Sequence, residues 1–131
     1  MRRLLVALSM LAVVLAGCGG GDDSSSPPVS LTGKTNDEGT KAAKDDLEVE
    51  ADNYYFGPTF ITAGASQKFT IQLKNEGATR HTFTSTSLGI DLELAPGATR
   101  TVGINAPASG TAEFHCRFHQ GEGMQGAVYV K

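Results

Sequence analysis

The sequence predicts an all-β domain, a two-sheet sandwich of about seven to eight short strands. Three observations lead there. Apolar and polar residues alternate with a period of two over several runs between residues 47 and 131. Gly, Pro and Asn separate those runs at short, even intervals. No window shows apolar residues at helical spacing.

The runs are taken in chain order. Leu47-Glu48-Val49-Glu50-Ala51 alternates, and Tyr54-Tyr55-Phe56 follows before Gly57-Pro58 turns the chain. Phe60-Ile61-Thr62 precedes Ala63-Gly64. Phe69, Ile71 and Leu73 alternate with Lys68, Thr70, Gln72 and Lys74, the pattern of a half-buried strand. Asn75-Glu76-Gly77 turns, and His81 to Thr86 is rich in β-branched residues. Ile90, Leu92 and Leu94 alternate with Asp91 and Glu93, ahead of Pro96-Gly97. Another strand runs over 99–104 and stops at Pro107 and Ser109-Gly110. Ala112, Phe114 and Cys116 share one face, opposite Glu113 and His115, and residues 126–131 close the domain.

The last turn carries the chemistry. Phe114-His115-Cys116-Arg117-Phe118-His119-Gln120-Gly121-Glu122-Gly123-Met124 sets a thiol, an imidazole and a thioether in the order Cys-x2-His-x4-Met. Cys116 and His119 can share one metal from a single loop, and the Gly-rich turn can fold Met124 back over it. A soft thiolate with imidazole and a weakly held thioether suits copper, and two His, one Cys and a long axial Met make a blue-copper set. The second imidazole has to come from elsewhere: His81 or the neighbouring His115.

This segment resembles the copper loop of the cupredoxins, plastocyanins above all. The resemblance runs over 110–130, as Gly-Thr-x-x-Phe-x-Cys-x-x-His-Gln-Gly-x-Gly-Met-x-Gly-x-Val-x-Val. Looser similarity covers roughly 47–131. The family implies a Greek-key sandwich with one type 1 copper at one end, bound by Cys116, His119 and Met124. Its fourth ligand follows an Asn and a short turn, which matches Asn75-Glu76-Gly77-Ala78-Thr79-Arg80-His81 and selects His81. The family often has Asn directly after that His; here it is Thr82, whose hydroxyl is left to brace the ligand loop. His115 stands where plastocyanins expose a Tyr for partner contact. Phe118 stands where they have Pro, so its N–H is expected to donate to the Cys116 sulfur. Arg80 and Arg117 are expected to form a basic rim that steers an acidic redox partner. The span from His81 to Cys116 is shorter than in plant plastocyanins, so no photosynthetic partner is implied.

The N-terminal third reads as an export and anchoring device. Met1-Arg2-Arg3 is basic, and 4–16 is apolar except for Ser9, too short a run for a comfortable membrane span. Leu15-Ala16-Gly17-Cys18 resembles the bacterial lipobox, which makes 1–17 a lipoprotein signal peptide and Cys18 the lipidated first residue. More than one acyl chain holds a protein on a membrane surface without crossing it. The expected location is a lipid-anchored, extracytoplasmic one, on the periplasmic or cell-surface face. The chain has two cysteines. A Cys18–Cys116 disulfide is the competing reading, and lipid on Cys18 would exclude it. Residues 18–46, rich in Gly, Ser, Pro, Asp and Lys, read as a disordered tether with a root-mean-square reach of about 30 Å.

Over 47–131 there are eight acidic residues against six Lys and Arg, so nothing suggests a nucleic-acid partner. The expectation is a monomeric one-electron carrier, with membrane-bound or extracytoplasmic redox proteins as partners and no enzymatic activity, since no substrate position is equipped with acid–base groups. Copper storage or delivery at the cell envelope is the alternative.

Overall fold

The computed structural model describes residues 40–131. The expected signal peptide, Cys18 and most of the expected tether lie outside the described residues.

Among the described residues ten strands form two sheets. In chain order they are β1 (Thr40–Ala42), β2 (Leu47–Asp52), β3 (Tyr55–Gly57), β4 (Phe60–Ala63), β5 (Lys68–Asn75), β6 (His81–Ser85), β7 (Ile90–Leu94), β8 (Thr99–Asn105), β9 (Thr111–His115) and β10 (Gln125–Val130). One sheet has the order β1-β4-β10-β9-β6-β7, the other β3-β2-β5-β8. Among the described residues the one helical element is a 3-10 turn, Gln120–Glu122. The all-β sandwich expected from the alternation is what the chain forms, with ten strands in place of seven or eight.

In β2 and β5 the alternation fixes which face is buried. In β5, Phe69, Ile71 and Leu73 are buried while Lys68 and Lys74 face out. In β2 the inward set is Leu47, Val49 and Ala51. Between the sheets Phe56, Phe83 and Phe114 meet in a three-ring cluster with no solvent exposure. Phe83 stacks on Phe114 at 4.5 Å, and Phe56 approaches both edge-on at 5.7 and 5.2 Å, arrangements aromatic pairs prefer. Gly126 lies opposite Phe114 in the ladder. A Cβ there would fall 2.2 Å from Phe114 Cε2, so glycine is what lets the ring lie flat against β10.

Residues ahead of 47 also pair with the sheet. β1 runs parallel to β4, with Thr40 opposite Phe60 and Ala42 opposite Thr62. Ala43 N–H then donates to Thr62 O at 2.7 Å, and Asp45 Oδ1 accepts from Thr70 N–H at 3.2 Å. All three β1 residues are exposed. β1 itself is held by backbone hydrogen bonds along a sheet edge, with partly buried Ala43 and the Asp45 side chain securing the chain beyond it, and composition carries no trace of that pairing.

Candidate metal centre

Two local structures bring the donors together. The first is the turn that launches β6. Asn75, fully buried at the end of β5, donates its side-chain amide to Thr79 O at 2.8 Å and Leu94 O at 3.1 Å. Its Oδ1 accepts from Gly77 N–H at 2.9 Å. One side chain thus shapes the 76–80 turn and ties it to β7, and His81 emerges at the first position of β6 with no exposure.

The second is the loop between β9 and β10. Cys116 N–H donates to Met124 O at 3.1 Å, and Met124 N–H donates to His119 O at 3.2 Å. Gly123, in the left-handed region at φ 85°, lets the 3-10 turn end there and the chain reverse. The loop closes on itself, so Cys116, His119 and Met124 share one small backbone frame. Met124 is fully buried and His119 half-buried.

Three donor atoms converge. His81 Nδ1 and His119 Nδ1 are 3.2 Å apart, and Cys116 Sγ lies 3.8 Å from the first and 3.5 Å from the second. Ligands bonded at about 2.0–2.3 Å to one ion stand roughly 3–4 Å from each other, which is the spacing seen. The chemistry fits as well. Two ring nitrogens facing each other need a proton or a cation between their lone pairs, and the sulfur beside them is soft. With buried Met124 adjoining, the set matches a type 1 copper site. Burial, and to a lesser degree the neighbouring His119, pushes the His81 pKa below its ordinary value, a shift in the direction of the neutral imidazole that a metal requires.

The Cys116 sulfur is pinned from β6. Thr82 N–H donates to Sγ at 3.3 Å. The expected donation from Phe118 is absent: among the described residues the backbone N–H that reaches the sulfur is that of Thr82, and Phe118 turns outward, its side chain 49% exposed. The Arg117 guanidinium lies over that ring, 5.5 Å from its centroid. Thr82 does brace the loop. Its hydroxyl accepts from Arg117 N–H at 2.8 Å and meets the Thr84 hydroxyl at 3.0 Å. Thr84 donates to Asp91 Oδ1 at 2.9 Å, and Arg117 Nε donates to that same oxygen, also at 2.9 Å. Side chains thus close a ring across β6, β7 and the loop, where β6 and β9 share a single ladder pair, Thr84 and His115. The Thr84 hydroxyl, then Arg117, hold the Asp91 carboxyl below its usual pKa.

The residues expected to contact a partner, His115, Arg80 and Arg117, lie outside the donor set. His115 ends β9 half-buried and is not among the converging donors. Arg117 pairs with Asp91 and Arg80 with Glu93, at 2.9 and 2.7 Å. Each cation beside the site therefore has an acid of β7 against it, and the rim carries balanced charge where a basic one was expected. Cys116 is buried, and among the described residues it has no disulfide partner.

Sequence reading missed the turn between β2 and β3. Asn53 Oδ1 lies 3.2 Å from His81 Nε2. The Tyr54 ring lies against His119, centroids 4.3 Å apart and planes inclined by 35°. No local pattern marks these two residues; an Asn in a turn has many other uses.

Comparison with known proteins agrees with this architecture. No curated protein sequence matches the chain. Among solved structures, the dithionite-reduced auracyanin of Roseiflexus castenholzii superposes with a TM-score of 0.57 at 20% identity, over 68% of this chain and 98% of that one. Auracyanin A, a blue copper protein of Chloroflexus aurantiacus, gives 0.52 at 23%, over 68% and 100%. The metal-binding domain of the Cu(I)-exporting P-type ATPase of Streptococcus pneumoniae gives 0.60 at 15%, over 76% and 99%. At these identities the likeness is one of fold. The family description "Cupredoxin-like domain" matches residues 9–130, and the chain belongs to that family.

Proposed function

We propose that this protein is a one-electron carrier with a single type 1 copper held by His81, Cys116, His119 and Met124. The observation that carries the reading is the buried convergence of two imidazole nitrogens and one sulfur, mutually within 4.8 Å. The copper would supply the Cu(II)/Cu(I) couple. The chain's part is to keep its donors still. His81, Cys116 and Met124 are fully buried, the loop is cross-bonded to itself, and Thr82 fixes the sulfur. A donor set that barely moves opposes electron transfer with little reorganisation. Half-buried His119, beside exposed Phe118, supplies the edge through which an electron would pass to a partner redox protein.

The same donors would serve copper storage or delivery, and the fold is shared with the metal-binding domain of a Cu(I) exporter. Burial favours carriage. An ion enclosed by three buried side chains is poorly placed for handing on, whereas an electron needs no opening. The lipobox-like Leu15-Ala16-Gly17-Cys18 supports anchoring by lipid at the outer face of a bacterial membrane. Loss of label from a fatty-acid probe in a Cys18→Ala variant would be the expected sign of it.

The deciding experiment adds Cu(II) to the full chain and records visible and paramagnetic-resonance spectra. An intense blue charge-transfer band with a small copper hyperfine splitting is expected. A sample that stays colourless, or shows a large splitting, overturns the reading.

A further inference from the structure

All four donors belong to the six-stranded sheet: His81 opens β6, and Cys116, His119 and Met124 lie between β9 and β10. The four-stranded sheet supplies none, yet its β2–β3 turn touches both imidazoles.

Asn53 meets His81 at Nε2, the ring nitrogen away from the donor cluster. An amide oxygen can only accept, so this contact requires the proton on Nε2 and leaves Nδ1 a bare lone pair toward Cys116 and His119. Asn53 is itself steadied, its N–H donating to Asp52 Oδ1 at 2.7 Å. Gly77 closes the other side: a Cβ there would fall 2.6 Å from both Asn53 Oδ1 and His81 Nε2. The contact therefore sits in a space with no room for a side chain at position 77. Tyr54, the next residue, lies against the His119 ring at 4.3 Å and presents an edge to His81 at 6.2 Å.

We infer that Asn53 and Tyr54 are positioning residues through which the second sheet holds both histidines: Asn53 sets the tautomer of His81, and Tyr54 sets the plane of His119. Side chains that hold a metal-ligating ring from behind orient it, and losing one weakens metal affinity about 10–100-fold. The consequence for copper rests on the carrier reading; the tautomer does not, and it is measured without metal.

The test is nitrogen-15 resonance of the histidine rings in the metal-free full chain, at a pH where they are neutral. His81 is expected with its proton on Nε2. Asn53→Leu, and Gly77→Ala with both partners intact, should release that preference, while Asn53→Asp, which still accepts, should keep it. On titration with Cu(II), Asn53→Leu and Tyr54→Ala should bind about 10–100-fold more weakly than the parent, and Tyr54→Phe should match it. A parent His81 protonated on Nδ1 overturns the inference even if no variant folds. Equal behaviour of Asn53→Leu and Asn53→Asp, or unchanged affinity in Asn53→Leu and Tyr54→Ala, overturns it too. A parent that binds Cu(II) without turning blue defeats the carrier reading alone and leaves the tautomer result to stand or fall by itself.

Discussion

Two clusters occupy neighbouring stretches of the same two strands. Phe83 follows His81 by two positions on β6, and Cys116 follows Phe114 by two positions at the end of β9. The aromatic cluster is buried throughout, and the donor cluster is buried except at half-buried His119. The aromatic one is complete as it stands, three rings in preferred contact with nothing left to satisfy. The donor cluster differs in kind: two ring nitrogens and a sulfur point at one another, atoms suited to hold a soft metal ion. The same β-alternation that buries a phenyl ring at one level buries a ligand at the next. What differs is the chemistry of the side chain, and with it whether burial alone is enough.

The difference is broken most severely at the aromatic end. Phe114→Ala removes the ring that both other phenylalanines touch, and should cost about 3–5 kcal/mol of stability. Denaturant unfolding should show the same loss with and without copper. At the donor end the effect depends on the metal. Copper at a hundred times its dissociation constant should stabilise the parent by about 2.7 kcal/mol. Cys116→Ala should abolish both that gain and the blue band, while moving metal-free stability by only about 1 kcal/mol. If Cys116→Ala unfolded the metal-free chain, the sulfur would be a core residue first and a ligand second.

How much of this was legible in the sequence follows the same division. Strands that bury apolar residues announce themselves, as in β5, where Phe69, Ile71 and Leu73 alternate with outward polar neighbours. The loop donors were legible because Cys116, His119 and Met124 lie close in sequence, and His81 because a turn of recognisable make-up precedes it. What stayed hidden depends on contacts between distant positions. β1 is held by backbone bonds, which leave no mark in composition. Asn53 meets a ring 28 positions away. Arg117 joins Asp91 through Thr82 and Thr84, a ring that exists only once three strands have assembled. Phe118 misled because a free N–H was read as a donor without knowing which way the loop turns.

A gentler probe is pH. His81 has its pKa lowered from 6.5 by burial. Between that value and its folded pKa, the unfolded chain binds a proton that the native chain refuses. Stability contributed by neutral His81 is therefore fully present above about pH 6.5 and is lost as pH falls through the folded pKa, with a slope of up to about 1.4 kcal/mol per pH unit. Metal-free unfolding measured over that window should show the loss, and His81→Leu should flatten it. An unchanged slope in that variant would mean that His81 is as easily protonated inside the domain as outside it.

The smallest effect belongs to the rim. Arg80 and Glu93 pair at 2.7 Å with side chains 62% and 41% exposed, a setting in which ion pairs contribute about 0–1 kcal/mol. Arg80→Gln should therefore leave the unfolding midpoint and the blue band nearly unchanged. Its informative readout is the association rate with a charged redox partner at low salt, where unpaired charge speeds or slows encounter. Because Glu93 already offsets Arg80, the parent rim should show weak salt dependence, and the variant, with Glu93 released, should disfavour acidic partners and favour basic ones. A parent whose encounter with acidic partners slows steeply with salt would mean that the positive charge at this end is not cancelled by β7. The donor end would then differ from the aromatic core in its field as well as in the chemistry of its side chains.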